Sequence, residues 1–121
     1  MKKFNISIGI VGLGYVGLPL FLEFNKKYKS AGFDLSKKRV SDLKKYQDYN
    51  NDIEILKNKK YKFTNKIKDL SKVNFFIITV PTPLKKNNNP DLSKLKTSCK
   101  NIASVLKRGD IVVFESTVYP G

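Results

Sequence analysis

An α/β fold built on a parallel, doubly wound sheet is predicted by three observations. The apolar run at residues 6–11 leads straight into a glycine-rich turn, Gly12-Leu13-Gly14-Tyr15-Val16-Gly17. Short apolar runs then alternate with stretches of helical periodicity along the whole chain. The run at residues 75–80, Phe75-Phe76-Ile77-Ile78-Thr79-Val80, is almost continuously apolar, as a parallel strand covered on both faces requires. In such sheets ligands lie beyond the carboxyl ends of the strands, where strand order reverses.

Residues 6–11 give the first strand, and the turn after it has the spacing Gly-x-Gly-x-x-Gly. The first glycine permits a tight turn, the second lets backbone approach a pyrophosphate, and the third allows close helix packing. The helix that follows offers free N–H groups and a partial positive charge to an anion. Its apolar stripe is Gly17, Leu20, Phe21, Phe24 and Tyr28, with Pro19 in or just after the first turn, where a missing N–H costs little. Ser30-Ala31-Gly32-Phe33-Asp34 reads as a second strand ending in a carboxylate, 22 residues beyond Gly12. There a carboxylate accepts hydrogen bonds from adenosine ribose hydroxyls and repels a 2′-phosphate, which selects NAD over NADP. Arg39 either accepts a phosphate or flanks the adenine. Asp34 has a second reading, as a helix cap before Ser36.

Ser36 caps the next predicted helix, which turns Val40 and Leu43 to the sheet and ends near Tyr46. Residues 47–60 are polar, with a short helix around Ile53 to Leu56. Residues 61–64 form a brief edge strand, 65–70 a short helix, and 75–80 the buried strand stopped by Pro81-Thr82-Pro83. Pro90-Asp91 opens a long helix that Lys107-Arg108-Gly109 closes. Residues 111–114 are the next buried strand, and the chain continues as Glu115-Ser116-Thr117-Val118-Tyr119-Pro120-Gly121. Residues 12–17, 81–83 and 116–117 are expected to converge at the carboxyl ends of the strands. The hydroxyls of the last two segments serve either turn formation or the nicotinamide end of a dinucleotide.

Composition narrows the function classes. The formal net charge is +14, but only Arg39 and Arg108 are arginine among 24 basic residues, and the lysines are spread along the whole chain. Sequence-reading nucleic-acid proteins favour Arg for bidentate contacts, so no nucleic-acid partner is expected. The sequence contains no His, which excludes histidine acid–base chemistry and histidine metal sites within it, and no metal site is expected. Cys99 is the single cysteine. It fits a reducing compartment and is expected to be a small buried hydrophobe on a helical face with Leu92, Leu95, Ile102, Ala103 and Leu106. Lys2 and Lys3 precede an uncharged, mainly apolar stretch at residues 6–22, but the glycine turn and Pro19 interrupt it and no small-x-small cleavage site follows. No membrane partner and a cytoplasmic location are expected.

Four segments in order carry a resemblance: residues 10–20 with the glycine turn, Val80-Pro81-Thr82-Pro83, Pro90-Asp91-Leu92, and residues 115–121. Together they resemble the NAD-binding domain of the UDP-glucose/GDP-mannose dehydrogenase family, most nearly the UDP-N-acetylhexosamine 6-dehydrogenases of bacterial surface-polysaccharide synthesis. The resemblance implies a Rossmann-type sheet lacking its last strand. It also implies one truncated NAD-binding domain over residues 1–121, with the central and sugar-binding domains absent. Family members oxidise the sixth-carbon alcohol of a nucleotide sugar to a carboxylate with two NAD, through a covalent intermediate on a cysteine. By likeness, Gly12, Gly14, Tyr15 and Val16 line the pyrophosphate, Gly17 closes the turn, and Asp34 and Arg39 flank the adenosine. Thr82 and Thr117 approach the nicotinamide, and Thr117, which would order the hydrolytic water, is the one catalytic candidate. Cys99 does not match the nucleophile's motif. In the loop after the second helix, Asn50 and Asp52 stand where the family commonly has Thr and Glu. The nucleotide-sugar partner is read by domains outside this segment. The oligomeric state is open, with a homodimer among the options. The other reading in play is a stand-alone, non-catalytic dinucleotide-binding module.

Overall fold

A computed structural model describes residues 5–45 and 60–115. Five strands form one sheet in the order β3-β2-β1-β4-β5, every pair parallel. They are β1 (Ser7–Val11), β2 (Lys29–Phe33), β3 (Phe63–Thr64), β4 (Phe75–Ile78) and β5 (Ile111–Phe114). Between them lie α1 (Gly17–Phe24), α2 (Lys37–Lys44), a 3-10 turn at Ile67–Leu70 and α3 (Ser93–Ala103). The chain runs outward from β1 through β2 to β3, then returns to the other side of β1 for β4 and β5. The reversal point therefore falls between the ends of β1 and β4, where the doubly wound topology opens its crevice.

Two apolar clusters sandwich the sheet. On one face Ile8, Ile10 and Ile77 pack with Leu18 and Phe21 of α1 and Val40 and Leu43 of α2. On the other, Val11, Phe33, Phe76 and Ile78 pack with Leu70, Val73 and Ile102. Phe21 is fully buried against the rings of Tyr61 and Phe63, with centroids 5.8 and 4.9 Å away. Burial of a side chain of this size contributes roughly 1.5–3 kcal/mol. The expected α1 stripe is seen, with Gly17, Leu18 and Phe21 buried and Leu20, Phe24 and Tyr28 packed partly against the core. Ser36 caps α2 as its sequence implies, its hydroxyl accepting from the Arg39 amide at 3.1 Å. Tyr46, the helix expected around residues 53–56, and Asn50 and Asp52 lie outside the described residues.

The long helix differs from expectation in two ways. Asp91 does open it: its carboxylate accepts from the Ser93 amide at 3.0 Å, and hydrogen bonds from Ser93, backbone first, hold its carboxyl below the ordinary value. The helix ends at Ala103, however, before the lysine and glycine expected to close it. Ser104 and Val105 bond back to the carbonyls of Asn101 and Ile102, tightening the last turn. Residues 107–110 form a separate turn, in which the Lys107 ammonium donates to the carbonyls of Ser71 and Val73 and pairs with Asp110.

The second correction concerns Cys99, which is exposed. Two adjacent stripes share helical spacing, 92/95/99/102/106 and 95/98/102/105. The helix turns the second inward, with Ser98 and Ile102 buried and Leu95 and Val105 packed against the core. Leu92 and Leu106 are left 41% and 45% exposed. The Cys99 thiol is therefore expected to react stoichiometrically with a colorimetric disulfide reagent in the native chain. Reaction only after denaturant is added would contradict this orientation of α3.

Candidate cofactor site

The glycine turn leaves the carboxyl end of β1 and is held from three directions. Gly12 takes φ +104°, a conformation that L side chains rarely adopt, and donates its amide to the Phe33 carbonyl at 2.8 Å. The Leu13 amide donates to Asp34 Oδ2 at 2.9 Å, while the Leu13 carbonyl accepts from Arg39 Nε at 2.7 Å. Thr79, one residue past β4, places its hydroxyl 2.6 Å from the Gly12 carbonyl. The turn is thereby fixed to the ends of β2 and β4 and to the first turn of α2.

Its outer side offers donors. Among the described residues no acceptor meets the amide N–H groups of Gly14, Tyr15, Val16 and Gly17, and no side chain caps α1. These are the unpaired donors of a helix start, and they carry the positive end of the helix dipole. A Cβ built at Gly14 would meet no atom within 4 Å, so it would project into open space at the mouth of the turn. That is a cradle a side chain would fill, with donors suited to a phosphate.

Gly12, Leu13 and Gly14 share a cleft of about 520 Å³ with Phe33, Asp34, Arg39, Val80 and Pro81. Asp34 sits at the tip of β2 as expected, with both carboxylate oxygens bonded to backbone amides. Oδ1 accepts from the Ser36 amide at 2.9 Å and Oδ2 from Leu13. Each oxygen retains a further lone pair for a ligand hydroxyl. Arg39 lines the cleft but is only 4% exposed, its Nε spent on the turn. It is therefore a strut of the turn first, and not a free guanidinium waiting for a phosphate.

The other predicted residues are distributed unevenly. Tyr15 and Val16 stand on the outer rim, 71% and 40% exposed, and Gly17 is buried beneath the turn. Pro81 forms cleft wall, but Thr82 does not. Ser116 and Thr117, expected to converge on the same cleft, lie outside the described residues. Sequence reasoning missed Thr79, Lys94 and Ser98. Thr79 sits inside an apolar run and carries no motif, while Lys94 and Ser98 reach the cleft from α3. The Ser98 hydroxyl is fully buried there with no hydrogen-bond partner.

No helix among the described residues is long and apolar enough to cross a membrane. Known proteins resemble the chain over nearly its whole length. It is 50% identical over 120 residues to the UDP-N-acetyl-D-glucosamine 6-dehydrogenase of Salmonella typhi, covering 97% of this chain and 28% of that protein. It is 44% identical over 120 residues to the enzyme of the same name from Pseudomonas aeruginosa, again covering 97% and 28%. The solved structure of a UDP-D-ManNAc dehydrogenase from Pyrococcus horikoshii matches with a TM-score of 0.81 at 32% identity, over 96% of this chain and 29% of that one. The chain thus spans about 28% of the length of these curated relatives. Its glycine turn, its Asp34 carboxylate and its parallel sheet all fall within residues 6–121, which match the NAD binding domain of the UDP-glucose/GDP-mannose dehydrogenase family, and to that family the chain belongs.

Proposed function

We propose that this chain is the NAD-binding part of a nucleotide-sugar 6-dehydrogenase, an enzyme that oxidises the sixth-carbon alcohol of a UDP-sugar to a carboxylate. The change removes four electrons, so alcohol, water and two NAD give carboxylate, two NADH and three protons. Bound NAD supplies the hydride acceptor. This chain's own residues bind and orient it. The amides of Gly14, Tyr15, Val16 and Gly17 receive the pyrophosphate, with Gly12 and Gly17 shaping the turn. Asp34 takes the adenosine ribose hydroxyls, and Arg39 fixes the turn beside them. By resemblance, Thr82 and Thr117 approach the nicotinamide, and Thr117 orders the water that releases the acid.

One observation carries this reading: Gly14, whose amide is unpaired, and the strand-tip carboxylate of Asp34 line a single cleft at the reversal point of the sheet. The names of the similar dehydrogenases support a UDP-sugar as the substrate class. The remaining catalytic groups and the sugar site belong to domains beyond this segment. On this reading the whole enzyme lies in the cytoplasm, without nucleic-acid or membrane partners. Calorimetric titration of the purified chain is expected to show binding of NAD with much weaker binding of NADP. The chain alone is expected to leave UDP-N-acetylglucosamine unoxidised in the presence of NAD. Equal affinity for the two cofactors, or turnover by the chain alone, would refute this assignment.

A further inference from the structure

Thr79 belongs to no motif of the sequence, yet three elements meet at its hydroxyl. It is buried, 7% exposed, and its backbone amide donates to the Val11 carbonyl at 2.8 Å, which continues the β1–β4 ladder past Ile78. The hydroxyl is therefore mounted on rigid sheet. Oγ1 lies 2.6 Å from the Gly12 carbonyl and 3.3 Å from that of Val11. A hydroxyl has one proton to donate, and the shorter contact assigns it to Gly12.

Among the described residues no backbone amide donates to the Gly12 carbonyl, whereas Gly14 and Val16 have the amides of Leu18 and Leu20. The Gly12 oxygen lies on the inner side of the turn, where a Cβ at Gly17 would come within 1.6 Å of it and 2.5 Å of Thr79 Oγ1. The contact thus exists only because residue 17 has no side chain. A carbonyl oxygen carries partial negative charge, and one turned outward here would oppose a pyrophosphate at the mouth of the turn. Its attraction to a buried hydroxyl at the opposite side removes that conflict. Leu13 receives the matching treatment from the other side, through Arg39.

We propose that Thr79 is a positioning residue of the cofactor cradle: its hydroxyl holds the Gly12 carbonyl under the turn, so that the turn meets the anion with N–H groups. The functional consequence rests on the NAD reading above, whereas the structural part does not. Two variants separate hydroxyl from shape. Thr79→Val keeps the volume and loses the donor, and Thr79→Ser keeps the donor.

The test combines NAD titration with amide hydrogen exchange of the free chain, comparing the hydrogen-bonded turn amides of Gly12 and Leu13 with the β1 amides of Ile8 to Ile10, which report global opening. Relative to those strand amides, Thr79→Val is expected to speed exchange in the turn and to weaken NAD binding about fivefold to tenfold. Thr79→Ser is expected to restore both. Unchanged turn exchange in Thr79→Val overturns the proposal, as does parental NAD affinity in that variant. A serine variant impaired as much as valine also overturns it, because shape and not the hydroxyl would then matter. If neither the parent chain nor any variant binds NAD, the cofactor reading falls, and the exchange comparison decides the role of Thr79 without it.

Discussion

Gly17→Ala is expected to cost about 3 kcal/mol or more of stability and to abolish NAD binding. A methyl group at this position would lie 1.6 Å from the Gly12 oxygen, 2.8 Å from the Gly12 carbonyl carbon and 2.5 Å from Thr79 Oγ1. Two of those atoms are backbone, and the third is fixed by the sheet, so no flexible side chain can yield. Relief requires the turn to lift away from α1, which breaks the Thr79 bond to Gly12 and displaces the amides that face the cleft. For a chain of this size the loss corresponds to a fall in melting temperature on the order of 10 °C. Gly14→Ala provides the contrast, since nothing lies within 4 Å of the position its methyl group would take. That variant should melt like the parent yet bind NAD poorly, because the methyl occupies the space the pyrophosphate needs. Thermal melts and NAD titration of the two variants check the pair. A stable, NAD-binding Gly17→Ala chain would show that the third glycine is not required for close approach.

The division between these glycines follows from what each neighbour is, and sequence spacing alone does not carry it. The motif does locate a turn between strand and helix, and Asp34 does fall at the tip of the second strand, as its distance from Gly12 implies. Strand positions were legible because parallel strands need unbroken apolar runs: residues 75–80 supply one that is buried, whereas the run at 111–114, expected to be buried as well, forms the edge strand β5 with Ile111 and Phe114 46% and 54% exposed. The Ser36 cap was legible because the hydroxyl acts within one helical turn of its own position. Contacts between distant residues were not. Arg39 reaches Leu13 across 26 positions and Thr79 reaches Gly12 across 67, and neither distance leaves a periodic trace. The exposure of Cys99 has a related cause. Helical periodicity defines stripes, but the two adjacent stripes share Leu95 and Ile102, and the one that packs into the core is the one containing Ser98. Past the early end of α3, Lys107 donates to the carbonyls of Ser71 and Val73, again a contact between remote segments.

Asp34→Ala is expected to weaken NAD binding by about tenfold to a hundredfold, because hydrogen bonds to a charged group contribute roughly 1.5–3 kcal/mol. Two losses combine. The ribose hydroxyls lose their acceptor, and the amides of Leu13 and Ser36 lose the carboxylate that joins the glycine turn to the start of α2. Asp34→Asn separates them. Its amide oxygen can still serve one of the two backbone donors, so the turn is better preserved while the charged acceptor is gone. It should therefore fall between the parent and Asp34→Ala. NADP gives the complementary measurement. Removing the carboxylate removes its repulsion of a 2′-phosphate, so the preference for NAD should shrink in both variants. It should not invert, because Arg39 is buried with its Nε on the Leu13 carbonyl and cannot swing out to receive the phosphate without releasing the turn. An Asp34→Ala chain that binds NAD within about twofold of the parent would mean that the carboxylate serves only the turn. An inverted preference would mean that Arg39 is freer than its contacts allow. On the proposed reading, cofactor choice would depend on two groups acting on one residue's backbone: Asp34, which takes the Leu13 N–H and would face the ribose, and Arg39, which takes the Leu13 carbonyl and would thereby be withheld from a phosphate.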